Sequence, residues 1–314
     1  MVIKAPSSEI NSLKDIIQLE IWRYSQKGLG LLPALFMAFF TFVCIPPLVR
    51  PLYELLPYDR NILMVTLVQI VLHEFMFILG NIMIFIIYYL KHPFFEQYKT
   101  YPDPWPWEKD PVQFKAQFKH AVWNVLVNHF IVHPIMLAPY LTGNIPYRMD
   151  LETFPSCSEL IIQVFFCLLA EDFTFYWAHR TLHTPKLYGM IHKQHHEYKY
   201  TIGYVAEYAN PVEYAINLFA TGIGPFLCGA HCHIFTIYLW YSIRTFETLD
   251  GHCGYDFPWS PFRLLPLCAG SQYHSYHHQM NIGNFGSQFI FWDTICKTNA
   301  KYWKSVSKNN AKVD

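Results

Sequence analysis

Three short histidine motifs in the second half of the chain carry the clearest chemistry. Of 16 histidines, 11 fall between His179 and His278. The motifs are HxxxH from His179, HxxHH from His192 and HxxHH from His274, and His252 lies between the last two. Residues three or four apart on a helix are neighbours, so each motif is expected to direct its imidazoles towards one point. This pattern predicts a metal site.

The number of imidazoles indicates how many metal ions the site holds. About four ligands fill one zinc ion, and the motifs with His252 offer nine imidazoles without a matching set of thiolates or carboxylates. We therefore expect a dinuclear centre. Imidazole suits zinc, copper, nickel and iron alike, so the ligand type does not select the metal. A core or interfacial role is expected for the other histidines, which are His73, His92, His120, His129, His133, His231 and His233.

Composition and hydropathy predict an all-α, polytopic integral membrane protein that carries this site. The 314 residues are 53% hydrophobic and 15% charged, against about 25% charged in an average soluble protein. Apolar runs at 31–49, 62–90, 121–141 and 160–177 approach or exceed the length of about 20 residues that spans a bilayer. A further apolar stretch, 214–243, contains Gly222, Gly224, Pro225 and Gly229. We interpret it as a broken, re-entrant hairpin beneath a cytosolic helical cap that carries the histidines.

The basic residues predict the orientation of these spans. Lys and Arg number four before the first run, then two, five, one and four in the successive connections, and seven after residue 243. This alternation places both termini and the histidine motifs in the cytosol. We divide the chain into an N-terminal cytosolic segment, 1–30, and one membrane domain, 31–314, whose histidine-rich region is 170–300. The net charge of zero excludes nucleic acid as a partner.

The motifs resemble those of a known group of enzymes. The HxxxH, HxxHH, HxxHH set is similar to that of the fatty acid hydroxylase and sterol desaturase superfamily of membrane di-iron enzymes. The segments AEYANPVE, ETLDGHCGYDFP and AGSQYHSYHHQMNIGNFG more closely resemble methylsterol monooxygenases, the sterol C-4 methyl oxidases. The resemblance extends from about residue 115 to residue 300.

The resemblance implies an O2-dependent sterol oxidase of the endoplasmic reticulum membrane. It implies two iron ions, with electrons from NAD(P)H passed through cytochrome b5 and its reductase. A sterol within the lipid would be the substrate, most simply oxidised at a 4-methyl group, and other sterol-biosynthetic enzymes would be neighbours. By motif, the iron ligands would be His179, His183, His192, His195, His196, His274, His277 and His278, with His252 as the ninth.

Several polar residues near the motifs are candidates for a supporting role. The methylsterol group usually has histidine where this chain has Asn210, whose amide is a poorer ligand and would contact the metal directly or through water. Asp172 lies seven residues before His179, on about the same helical face, and is expected to orient that ring. Asp250 and Asp256 flank His252 and are candidates for the same role. The alternative is that such carboxylates, Glu171 included, form salt bridges to Arg180 or Arg244.

Other functions stay open at this point. Within the same chemistry they are sterol desaturation, removal of a different alkyl group, and fatty-acyl hydroxylation. Different classes are a histidine-rich metal transporter, a membrane zinc hydrolase built from the same imidazoles, and a sterol-binding relative without activity. A transporter would be expected to place its ligands near the bilayer midplane, whereas these motifs flank the spans.

Overall fold

Helices are the main secondary structure of the ranges that the structure describes. This computed structural model describes residues 13–55, 62–142 and 147–310; residues 1–12 of the predicted N-terminal segment lie outside them. Three isolated bridges are the extended pairings found there. The α-helices are α1 Leu13–Lys27, α2 Leu31–Phe39, α3 Ile45–Glu54, α4 Ile62–Leu90, α5 Pro93–Glu96, α6 Pro106–Lys109, α7 Pro111–Val127, α8 His133–Thr142, α9 Cys157–Leu182, α10 Pro185–Met190, α11 Pro211–Cys228, α12 Ile234–His252, α13 Ser271–Met280, α14 Phe291–Ile295 and α15 Ala300–Asn310.

Four helical runs are long and apolar enough to cross a membrane, as the sequence predicts. They are Lys14–Glu54, Val65–Leu90, Pro111–Ala138 and Cys157–Leu182. Their outer faces expose large apolar side chains, such as Phe36 at 64%, Phe85 at 65% and Ile162 at 68%. Exposed apolar surface on this scale needs a lipid environment. The chain is therefore a multi-pass membrane protein.

The third run is continuous because a π-helical turn joins two α-helices. The turn, Asn128–Val132, lies between α7 and α8. A π turn holds an extra residue and is frequent at functional sites in helices. Here it directs His129 into the interior, where the exposed fraction of that side chain is 1%.

The two helices that follow the fourth span are separated by a break at Gly229, one of the four positions at which we expected it. The re-entrant course of this segment stays a prediction. α11 continues through Gly222, Gly224 and Pro225. It ends at Gly229, whose φ of 49° suits glycine and starts a short turn before α12. Since α11 packs along α9 and α12 packs along α4, tertiary contacts hold α11 together despite its internal proline.

Close helix packing positions the ends of these helices. At Gly224 an added Cβ would lie 2.5 Å from the Cα of Cys167 in α9. At Gly80 of α4 an added Cβ would lie 2.4 Å from a methyl group of Leu249 in α12. α9 is thereby held against the backbone of α11, and α12 is held against α4 through a side chain three residues before His252.

α1, at the start of the first apolar run, and several later segments of the chain pack together beside the histidine motifs. α1 contributes Leu19 to a cluster with Tyr273 of α13 and with Tyr302 and Trp303 of α15. A second cluster joins Trp105, Tyr208 and Tyr255 to Tyr88, near the end of the second span. We refer to these packed segments, which contain or adjoin the histidine motifs, as the cap. The proposed division into residues 1–30 and 31–314 stays a prediction.

Candidate metal centre

The HxxxH motif lies at the end of the fourth span. His179 is in the last turn of α9, and His183 is the residue that caps it. The two ring centroids are 5.0 Å apart. The next residues turn away because Pro185 begins α10. The spacing thus places this pair on one helical face, as predicted.

Each HxxHH motif divides between two sites, which corrects the expectation that its three rings meet at one point. In the 3₁₀ turn His192–Glu197, His192 and His196 point to one site and His195 points to the other. In α13, His274 and His278 share a site and His277 points elsewhere. In an α-helix such as α13, residues four apart share a face, whereas adjacent residues diverge by about 100°. The i and i+4 rings of α13 therefore stay together, and its i+3 ring points to the other site.

The nine predicted ligands form two groups of potential metal donors. Within each group the donor atoms all lie within 4.8 Å of one another, and all nine residues are buried or half-buried. The five-histidine group consists of His179, His183, His192, His196 and His277. The four-histidine group consists of His195, His252, His274 and His278.

Hydrogen bonds at the Nδ1 atoms set the tautomers of these rings. Carbonyl oxygens of Phe285 and Gly283 lie 2.9 and 2.6 Å from the Nδ1 atoms of His179 and His277. The carbonyl of Tyr208 lies 3.0 Å from Nδ1 of His195. Because a carbonyl oxygen only accepts, Nδ1 carries the proton and Nε2 keeps its lone pair. The same contact occurs from His252 to Thr248 at 2.8 Å and from His278 to Tyr198 at 3.2 Å.

The Nε2 atoms then face one another at distances that fit shared metal ions. Facing Nε2 pairs are 3.0–3.2 Å apart in the five-histidine group and 2.9–3.4 Å apart in the four-histidine group. Two lone pairs at this distance repel unless a cation lies between them. Nitrogens bound at about 2.1 Å to one ion, at right angles to each other, lie about 3.0 Å apart. The donor set fits two metal ions.

Burial keeps these imidazoles neutral. Removal from water lowers the pKa of His183 and of His195 to about 4, and the neighbouring ring of His195 contributes to the shift of His183. Burial together with His195 lowers the pKa of His252 to about 3. A neutral imidazole is the form that binds metal.

Glu213 is a supporting residue that the sequence reasoning missed. It lies in the first turn of α11, and its Oε1 is 2.8 Å from Nδ1 of His192. Both residues are buried. This is the carboxylate-to-histidine contact that orients a ligand ring and increases its basicity. The only sequence signal was its position within AEYANPVE, beside Asn210.

The predicted supporting carboxylates have other partners. Asp172 accepts hydrogen bonds from the backbone N–H groups of Gln288 and Phe289. It therefore anchors the loop whose Phe285 carbonyl contacts His179, instead of contacting that ring itself. Glu171 pairs with Arg244 at 2.9 Å, as the alternative interpretation required.

The carboxylates near His252 pair with Arg263, which corrects their expected role. Asp250 lies 2.8 Å from this guanidinium, and Asp256 is its second partner. The Nδ1 of His252 uses the carbonyl of Thr248 instead. Asn210 caps α11 by accepting a hydrogen bond from the Val212 N–H at 2.9 Å. A role for Asn210 at the metal stays a prediction.

A cavity adjoins both groups. It lies between α9, α11 and α12, and the volume that the centre of a water-sized sphere can occupy in it is about 140 Å³. His179 and His192 of one group and His195, His252 and His274 of the other reach its wall. Phe175, Leu218 and Tyr241 give it apolar surface, and Arg244 and Glu171 add a buried ion pair. The arrangement suits a largely apolar molecule with a polar end.

The fold and this site define an integral membrane protein with two groups of buried histidines, each of which could hold a metal ion. The family model "Fatty acid hydroxylase" matches residues 164–298. Methylsterol monooxygenase 1 of Danio rerio is 36% identical over 253 residues, which cover 78% of this chain and 82% of the relative. The chain belongs to the fatty acid hydroxylase family.

Other relatives carry two different names. Methylsterol monooxygenase 2-2 of Arabidopsis thaliana is 40% identical over 58% of this chain and 69% of its own length. A very-long-chain aldehyde decarbonylase of Oryza sativa subsp. indica is 39% identical over the same shares. No solved structure matches the chain.

Proposed function

We propose that the protein is a membrane oxygenase that oxidises a 4-methyl group of a sterol with O2. The family and the methylsterol monooxygenase relatives support an oxygenase with a sterol substrate. The observation that carries the proposal is the pair of histidine groups with inward-facing Nε2 lone pairs beside one partly apolar cavity.

The histidines would hold two iron ions. The five-histidine group would bind one ion and the four-histidine group the other. When bound, iron supplies the activation of O2 and the oxidation of an unactivated C–H bond, which side chains do not perform. The protein's own contribution is to bury nine imidazoles away from water and to orient six of them at Nδ1, five through backbone carbonyls and His192 through Glu213.

The cavity would orient the substrate from the lipid. Phe175, Leu218 and Tyr241 would contact the sterol rings, because apolar walls with few polar groups are typical of such sites. Arg244 and Glu171 would face its hydroxyl end. Asn210 is proposed to support the site from outside the ligand set.

Electrons would come from NAD(P)H through cytochrome b5 and its reductase. We place the protein in the endoplasmic reticulum membrane, with both termini and the histidine cap in the cytosol, in agreement with the basic residues of the connecting loops. Such a location gives the cytosolic electron donor access to the cap.

Product analysis tests this proposal. Membranes containing the protein are incubated with NADH, air and a panel of 4-methylated and other sterols, and products are identified by mass spectrometry. We expect oxygenation of a 4-methyl group, and its loss in His195→Ala. The matched control is His231→Ala, which removes an exposed histidine outside both groups.

A second candidate substrate follows from the rice relatives named very-long-chain aldehyde decarbonylase. A long-chain aldehyde is included in the same assay. Turnover of the aldehyde with no sterol product would replace the sterol proposal, and turnover that needs neither O2 nor reductant would indicate a hydrolase.

A further inference from the structure

A third cluster of metal-binding residue types lies inside the membrane-spanning part of the protein. His73 and Glu74 are on α4, His129 is in the π turn between α7 and α8, and His133 begins α8. Glu207 reaches the same place from the 3₁₀ turn Gly203–Glu207. We refer to these five residues as the His73 group. None belongs to the nine predicted ligands.

Two imidazoles and two carboxylates alternate in this group. His73 has Glu74 at its Nδ1 and Glu207 at its Nε2, both at 3.3 Å. His129 has Glu74 at its Nδ1, at 3.0 Å, and Glu207 at its Nε2, at 2.7 Å. One donor atom from each of His73, Glu74 and His129 lies within 4.8 Å of the others. A carboxylate oxygen therefore faces every nitrogen of both rings.

His133 adds an independent observation that points to a ligand. The exposed fraction of its side chain is 1%, and neither ring nitrogen has a hydrogen-bond partner in the part of the chain that the structure describes. Its ring centroid lies 4.9 Å from that of His73. A buried polar group without a partner is costly, and a metal ion would use its lone pair.

The charges of the group can balance in two ways. A neutral imidazole has one N–H, so without a metal ion the carboxylate oxygens beside both nitrogens of each ring require His73 and His129 to be cations. Their ring centroids are only 4.9 Å apart, and this arrangement leaves His133 without a partner. In the second arrangement, a divalent ion neutralises the two negative charges of Glu74 and Glu207. The imidazoles of His73, His129 and His133 then stay neutral and accept no second proton.

We propose that the His73 group binds a third divalent transition-metal ion, separate from the two in the cap. Imidazole and carboxylate ligands are those of zinc sites in proteins, so zinc is the ion we expect. His73, His129 and Glu74 would be its ligands, with Glu207 and His133 completing the set. The ion would join two membrane-spanning helices to the loop that contains Glu207.

This ion would also stabilise the four-histidine group. The residue after Glu207 is Tyr208, whose carbonyl accepts the hydrogen bond from Nδ1 of His195. His73 and Glu207 line the same cavity as His195. An ion that fixes Glu207 would thus also fix the backbone at Tyr208, whose carbonyl orients His195, a ligand of the proposed iron site.

Metal counting tests the proposal on the full-length protein in detergent. The protein is dialysed to equilibrium against buffered zinc, and bound zinc, iron and manganese per chain are measured by mass spectrometry. We expect the His73→Gln/His129→Gln variant to bind one equivalent less than the unchanged protein. The matched control, His92→Gln/His120→Gln, changes two exposed histidines outside all three groups and should keep every equivalent.

Two further variants keep the outcome decisive. Glu74→Gln preserves side-chain shape if the double variant does not fold, and it should lose the third equivalent at a free zinc concentration where the unchanged protein retains it. His195→Ala/His274→Ala should lose metal from the cap and keep the third ion, which separates this proposal from the proposed function. Equal metal content in the unchanged protein, the His73→Gln/His129→Gln variant and Glu74→Gln would show an imidazolium–carboxylate ring instead and overturn the proposal.

Discussion

At the scale of single residues, the Nδ1 partners decide what each histidine can do. Backbone carbonyls accept the Nδ1 hydrogen bond of five of the nine rings. His192 instead depends on the side chain of Glu213. A backbone carbonyl stays in place in most substitutions, whereas one substitution at Glu213 removes the carboxylate that contacts His192. Glu213 is therefore the most sensitive supporting position.

We expect Glu213→Ala to weaken metal binding by the five-histidine group about 10- to 100-fold, the usual effect of losing such a partner. Competition with a chelator of known affinity measures it. Glu152→Ala, at an exposed glutamate before α9, is the control. Unchanged affinity in Glu213→Ala would mean that His192 keeps its orientation through packing alone.

The buried histidines also predict how the metal-free protein responds to acid. In the folded protein the pKa of His183 and His195 is about 4 and that of His252 about 3, against 6.5 for an ordinary histidine. Between these values the unfolded chain binds more protons, so stability falls as pH falls. Thermal unfolding of chelated protein should show a loss that begins near pH 6.5 and increases towards pH 4. A melting temperature independent of pH across this window would contradict it.

At the scale of elements, the approach of α11 to α9 determines where Glu213 meets His192. Gly224 makes this approach possible, because its added Cβ would meet backbone atoms of Cys167. The neighbouring Gly222 has only the hydroxyl of Tyr241 nearby, at 3.2 Å. Gly222 should therefore tolerate an added side chain better than Gly224 does.

Gly224→Ala should destabilise the protein by about 1–3 kcal/mol, the usual cost of overpacking, and should lower oxygenase activity by displacing α11. Gly222→Ala should cost less, because a side chain can move aside. Melting temperature in detergent and product yield measure both. Equal effects of the two substitutions would show that the α9–α11 contact is not tightly packed.

At the scale of the whole molecule, the chain crosses the membrane with its cap at one end. Lys109 and Lys304 are exposed on the side of the cap in the proposed orientation, and Glu54 and Glu152 are exposed in the loops of the other side. These four positions report the orientation.

In sealed microsomes, a membrane-impermeant maleimide should label Lys109→Cys and Lys304→Cys and should not label Glu54→Cys or Glu152→Cys until detergent is added. The background carries Cys157→Ser because Cys157 is exposed, and unsubstituted background protein is the blank. The reverse pattern would place the cap in the lumen, away from the proposed electron donor.

The sequence by itself determined the features that depend on neighbouring residues. Hydropathy runs predicted the four spans, since span length is a local property. Motif spacing predicted the nine histidines that meet in the structure, and their number predicted two groups. The sequence could not show which ring of each HxxHH motif belongs to which group. Each group is completed by residues far apart in the chain, such as His183 and His277.

Only the tertiary structure decided the remaining roles. Glu213 reaches His192 because α11 lies against α9, and Asp172 anchors a loop because the chain returns 116 residues later to Gln288. His73, His129 and His133 had been expected to be ordinary core or interfacial residues, and they converge because two membrane-spanning segments place them at one level. Such contacts depend on how helices pack, which the local pattern of residues does not encode.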